Sequence, residues 1–196
     1  MTSNQRNWTV LIVTISVIGL PVYAYIQDSA RTEEDIVLML RVTALTSFML
    51  YLLVFVARPL RQLFATPLTQ TMLGNRRYYG IAFAGSHTVH LALIVAFVLD
   101  ANPSPQIVVL GGIAYVLLFS MLITSFDAPA TAIGSTAWRR LHKTGLYWNG
   151  GIFAAVLLPK VIGDPGNLTY LAAAVLVMSA IGVRVLAFVK GRQQSN

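Results

Sequence analysis

The chain contains three histidines, His87, His90 and His142, and each falls in or beside an apolar segment. His87 and His90 are three residues apart, so on a helix they project from nearly the same side. His142 closes the run Trp138-Arg139-Arg140-Leu141-His142 at the entry to another apolar segment. Ionisable groups at membrane depth are costly, and their default reading is functional. Neutral imidazole is a common ligand of haem iron. The chemistry implied is metal or haem ligation inside a membrane, with electron transfer as the activity. A plainer alternative stands beside it: a buried imidazole that only hydrogen-bonds to a neighbouring helix, through Ser86, Thr88 or Asn149. His142, between Arg140 and Lys143, can equally be interfacial.

The elements that must position these residues follow from composition. Of 196 residues, 56% are hydrophobic and 11% charged, with a mean hydropathy of +0.69. That excludes an ordinary water-soluble domain. Six apolar stretches, near Trp8–Ile26, Ile36–Val56, Tyr78–Leu99, Ile107–Ser125, Leu141–Val161 and Leu168–Phe188, are each long enough to cross a bilayer core. They leave no room for a folded extramembrane domain, so residues 1–196 are expected to form a single membrane domain. The first stretch has Arg6 before it and small residues after it, as a signal peptide has, and is expected to be retained as a transmembrane helix.

Short connections favour antiparallel neighbours. Asn102-Pro-Ser-Pro-Gln106 and Gly163-Asp-Pro-Gly-Asn167 read as turns. Pro59 is expected to end the second helix. The stretch from Arg58 to Arg77, with its apolar Leu63-Phe64, is expected to lie along the membrane surface. The fold class is therefore an all-α integral membrane protein, a six-transmembrane-helix up-down bundle.

Charge orients it. Arg6, Arg58, Arg61, Arg76, Arg77, Arg139, Arg140, Lys143, Lys190 and Arg192 fall on one side, whereas Asp28, Glu33, Glu34, Asp35 and Asp100 fall on the other with Arg31 and Lys160. The positive-inside rule places both termini in the cytoplasm. The asymmetry accounts for the net charge of +7. No basic face interleaved with aromatics exists, so no nucleic-acid partner is expected. Arg41 and Arg184 lie within segments. Arg184 is expected to snorkel to the interface; for Arg41, snorkelling and service to a cofactor carboxylate both stand. Tyr147, Trp148 and Tyr170 read as interface or packing aromatics.

The absence of cysteine excludes thiolate ligation of haem and cysteine-held iron–sulfur clusters. No phosphate-cradling glycine loop and no HExxH is present. All acids lie in loops or at segment ends, which argues against a carboxylate proton relay. Gly80 and Gly85, with Gly145, Gly150 and Gly151, permit either close helix packing or a flat cofactor against the backbone. Depth separates the histidines. His90 lies thirteen residues beyond Arg77, and His142 two beyond Arg140. On parallel helices this is an offset of about 15 Å at the helical rise, so the two cannot ligate one metal.

Arg76-Arg77-Tyr78-Tyr79-Gly80 followed by His90, then Trp138-Arg139-Arg140-Leu141-His142, with Arg58-Pro59-Leu60-Arg61 upstream, resembles the ferric-reductase-like transmembrane family. Within that family the pattern is most similar to the haem-binding membrane subunits of periplasmic methionine sulfoxide reductase systems. The resemblance covers about residues 58–157. It implies b-type haem, one or two, held between the third and fifth spans and passing electrons across the membrane. His90 and His142 are the implied ligands, with His87 as a substitute or neighbour. Arg76, Arg77, Arg139 and Arg140 are implied partners of haem propionates, and Gly80 is part of the cofactor surface. The family has a second histidine thirteen residues after the first in its fifth span, where this chain has Ala155.

Three arrangements remain open: an outer-level haem on His90 or His87, an inner-level haem on His142 near Arg76, or loss of haem. The chain carries no nicotinamide or flavin domain, so the expected electron donor is a separate protein, a quinone or a loosely held flavin. Whether it is itself an oxidoreductase subunit is left open. The alternative function is a haem-depleted subunit of the same fold that anchors or scaffolds a complex. Expected partners are membrane lipid and a protein redox partner.

Overall fold

The computed structural model describes residues 2–27, 32–98 and 103–194. Asp28, Arg31, Leu99, Asp100 and Asn102 lie outside the described residues. Among the described residues seven helices run in order: α1 (Ser3–Gln27), α2 (Glu33–Leu63), α3 (Pro67–Gly74), α4 (Arg76–Phe97), α5 (Pro105–Ile123), α6 (Asp127–Gly163) and α7 (Leu168–Gln193). All but α3 are long and apolar enough to cross a membrane, which makes this a multi-pass membrane protein.

Local sequence explains where several helices begin. Thr32 caps α2 and exchanges hydrogen bonds with Asp35, while Thr66 and Thr69 do the same for α3, which opens on Pro67. Asn167 caps α7 through the amides of Thr169 and Tyr170. Between Arg58 and Arg77, where a surface-lying piece is expected, the chain forms the short helix α3.

Two boundaries differ from expectation. Pro59 does not end α2; the helix continues to Leu63. Proline lacks the amide that would bond the carbonyl four residues earlier, that of Phe55. Arg184 supplies the missing donor, Nη1 to the Phe55 oxygen at 2.9 Å. Its guanidinium also lies over the Phe55 and Tyr147 rings, 4.1 and 4.8 Å from their centroids. Arg184 therefore turns inward rather than snorkelling. The second difference is α6, which begins at Asp127, well before Leu141. It bends at Gly134, whose φ of 76° and ψ of 158° suit only glycine.

Side-chain bonds gather the helix ends. Ser3 donates to Asp127 (2.8 Å), Arg77 Nε to the Ser125 carbonyl (2.6 Å), Arg76 Nε to the Val54 carbonyl (3.0 Å) and Lys190 to the Leu63 carbonyl (3.2 Å). The starts of α1, α4 and α6 thus meet the ends of α2, α5 and α7, as an up-down bundle requires. This is the basic end.

The outer surface is apolar, unlike that of a water-soluble protein, and the interior mixes apolar with polar side chains. Leu168 and Ile162 are 78% and 72% exposed, whereas Asn7, Ser47 and Ser86 are 0%. In lipid the apolar side chains can face outward, and the polar ones must pair inside. Ser47 and Ser86 do so across α2 and α4 at 2.9 Å. Helix α4 packs against α1, α2 and α5; α6 runs beside α5 and α7 and stands off α2 and α4. Rings of Phe48, Tyr51, Phe83 and Phe153 fill the midsection of that gap, with centroids 5.2–6.1 Å apart.

Candidate functional site

On either side of this aromatic layer lies a cavity, and each contains one of the histidines. The cavity toward the basic end, about 360 Å³, is lined from α4 by Arg76, Arg77 and Gly80 and from α6 by Trp138 and His142. The other, about 300 Å³, combines His90 with Arg41, Phe153, Lys160 and Tyr170. Each cavity therefore brings one imidazole together with two basic side chains.

Hydrogen bonds fix the ring nitrogens. Thr43 Oγ1 is 2.8 Å from the Met39 carbonyl and 2.9 Å from His90 Nδ1. The arrangement that satisfies all three groups has the hydroxyl donating to Met39 and accepting from His90 Nδ1–H. That leaves the lone pair on His90 Nε2. Thr124 repeats the device at the end of α5: its hydroxyl lies 2.7 Å from the Ser120 carbonyl and 3.0 Å from His142 Nε2. His142 therefore keeps its lone pair on Nδ1. The Thr124 carbonyl also accepts from Trp138 Nε1 at 2.9 Å, and the indole stacks on the His142 ring at 4.2 Å. The threonine partners replace those expected from sequence. Thr88 bonds the Ala84 carbonyl, Ser86 bonds Ser47, and Asn149 bonds the Gly145 carbonyl.

His87 lines neither cavity. Its ring is packed against His90 (5.3 Å) and Tyr115 (4.9 Å), and its Nδ1 is buried without a partner. Arg77 bonds Ser125 and pairs with Asp127 at 2.8 Å, whereas Arg76 bonds Val54. Arg139 and Arg140 are exposed and stand outside both cavities; Arg139 reaches Thr136 at 3.4 Å. The basic residues that do meet His90 are Arg41 and Lys160, and both lie over the Tyr170 ring with centroid distances of 5.7 Å.

The glycines divide between the two roles. A Cβ on Gly80 would meet nothing within 4 Å, in keeping with its place on a cavity wall. A Cβ on Gly85 would lie 3.4 Å from Leu11 and Thr14, so this glycine seats α1. Gly145 makes room for Met121, and Gly150 for the Tyr51 hydroxyl, which donates to the Leu146 carbonyl at 3.1 Å. Ala155 is exposed; the α6 residues beside His90 are Phe153, Val156, Leu157 and Lys160.

For a b-type haem, this donor set supplies one imidazole and two basic side chains at either level. It does not fit ligation by two histidines, because His87 and His90 project side by side from one helix and no second imidazole faces either cavity among the described residues. No protein-family model, curated protein or solved structure matches the chain.

Proposed function

We propose that this is a ferric-reductase-like membrane protein that holds b-type haem and passes electrons across a bacterial-type inner membrane. The observation that carries the reading is the repeated site: one imidazole with an available lone pair and two cations, on each side of an aromatic layer. When bound, haem supplies the one-electron chemistry. His90 and His142 would hold its iron. Arg76 and Arg77 at one level, Arg41 and Lys160 at the other, receive the propionates as charge-assisted donors. Gly80 leaves room for the macrocycle, Thr43 and Thr124 hold the ring tautomers, and the surrounding aromatics exclude water. The basic end faces the cytoplasm, with both termini there. Electrons come from a partner protein, a quinone or a flavin.

The second reading, a haem-free anchor within a complex, draws on the single imidazole per level and on Ala155 at the family's ligand position. Absorbance of the purified protein separates the two. A Soret band and a reduced b-type α-band, each diminished by His90→Ala or His142→Ala, support haem binding. A featureless visible spectrum leaves the anchor.

A further inference from the structure

A larger cavity than either of these lies elsewhere, between α2, α6 and α7, and has a volume of about 810 Å³. Arg58, Gln62 and Arg192 line it at the basic end, Arg184 lines it further in, and Phe48 and Val177 lie at its apolar limit. From Arg192 to Val177 the cleft follows α7 for about 22 Å at the helical rise. That exceeds the half-thickness of a hydrocarbon core, about 15 Å. Its floor on α6 is Gly150, Gly151 and Ala154, and a Cβ on Gly151 would meet nothing within 4 Å.

The charge in the cleft is unbalanced. Three arginines line it and no acidic residue does; among the described residues the ion pair in the bundle is Arg77 with Asp127. Nor does an imidazole line it, so it is not a third haem site of the kind argued above. A neutral amphiphile brings no charge to balance the arginines, whereas the phosphodiester of an anionic lipid does, accepting charge-assisted hydrogen bonds from Arg58 and Arg192.

We propose that this cleft binds an anionic phospholipid, with its phosphodiester at Arg58 and Arg192 and an acyl chain along Gly150, Gly151 and Ala154. The site is independent of haem, and His90→Ala/His142→Ala protein should bind the lipid unchanged.

The test is native mass spectrometry of the full chain in neutral detergent, titrated with phosphatidylglycerol or with phosphatidylcholine of the same acyl chains. The expected result is a one-to-one phosphatidylglycerol adduct that phosphatidylcholine does not match. Arg58→Gln/Arg192→Gln should weaken it about thirty-fold, the effect of two interfacial arginines. Both side chains are exposed, so the fold survives their loss. Gly151→Ile, which fills the floor, should remove the adduct with both arginines present. Equal binding of the two lipids overturns the proposal. So does an undiminished phosphatidylglycerol adduct in either variant, or displacement of that adduct by decylubiquinone as effectively as by phosphatidylglycerol.

Discussion

Thr43 Oγ1 accepts the Nδ1–H of His90 at 2.9 Å, because its own proton is already given to the Met39 carbonyl at 2.8 Å. The relationship turns the Nε2 lone pair of His90 into the only one the ring offers. Partners of this kind raise a ligand's basicity and hold its ring, and their loss typically costs about 10- to 100-fold in metal affinity. Thr43→Val keeps the shape and removes the acceptor. The expected outcome is haem loss at the His90 level, seen as a fall in the α-band for Thr43→Val that is absent when the same change is made in His90→Ala. If Thr43→Val lowers the band equally in the presence and absence of His90, the pairing has no part in ligation.

Arg184 and Pro59 form a second testable pair, since the guanidinium bonds the carbonyl that the proline leaves without its helical donor. Arg184→Leu strands a carbonyl inside the bundle, at a cost of about 1–3 kcal/mol. Pro59→Ala restores the amide. The double variant should therefore unfold at a higher denaturant concentration than Arg184→Leu. Additive effects in this double-mutant cycle would show that the arginine serves only its aromatic contacts.

His87 offers a prediction of the opposite sign. Its ring sits among Phe83, Tyr115 and Phe153, with Nδ1 buried and unpartnered. An unsatisfied buried polar atom costs about 1–3 kcal/mol, so His87→Phe should leave stability unchanged or raise it. Because His87 lines neither cavity, the haem spectrum should also be unchanged. A diminished α-band in His87→Phe would assign this ring, rather than His90, to the metal.

What sequence reading reached, and what it missed, follows from the range of the interactions. The six spans and the two levels of His90 and His142 were legible because lipid demands long apolar helices and the helical rise is fixed. Thr43 and Thr124 were not, because a threonine inside a helix ordinarily bonds a carbonyl of its own preceding turn, and both of these also do. Their histidine partners are 47 and 18 residues away. Pro59 misled for the same reason: the donor that rescues its helix lies 129 residues from Phe55. The early start of α6 was hidden because Asp127 to Arg140 is polar and small-residue rich, so hydropathy detected only the part beyond Leu141. Arg139 and Arg140 looked like site residues through their closeness in sequence to His142, but helical geometry turns them to the outside.

At the basic end, Asn7 and Asp127 both face Arg77 in very different surroundings. Asp127 is exposed, so its pair with Arg77 is screened by water and weakens further at high salt. Asn7 is 0% exposed; with its amide oriented to suit its neighbours, Oδ1 accepts from Arg77 at 2.8 Å and Nδ2 donates to the Ser3 carbonyl. Asn7→Leu should therefore destabilise more than Asp127→Asn, because it removes the hydrogen bonds of a fully buried amide to Arg77 and to the Ser3 carbonyl. Denaturant midpoints of the two variants measure the order, and a larger loss in Asp127→Asn would reverse it.

Gly80 and Gly85 share one helix, and the same substitution at each should have opposite consequences. Gly85 faces Leu11 and Thr14 of α1, which a Cβ would approach to 3.4 Å, so a large side chain must push α1 away. Overpacking of this kind costs about 1–3 kcal/mol, and Gly85→Leu should lower the unfolding midpoint accordingly. Gly80 opens into the cavity beside His142, where a Cβ meets nothing within 4 Å. Gly80→Leu should fold as well as the parent, since leucine is also the better helix former. It should nevertheless lose the haem absorbance attributable to His142, because its side chain takes the space the macrocycle needs. Full haem content in Gly80→Leu, measured as pyridine haemochrome per protein, would place the cofactor elsewhere and leave this cavity as a packing defect between α4 and α6.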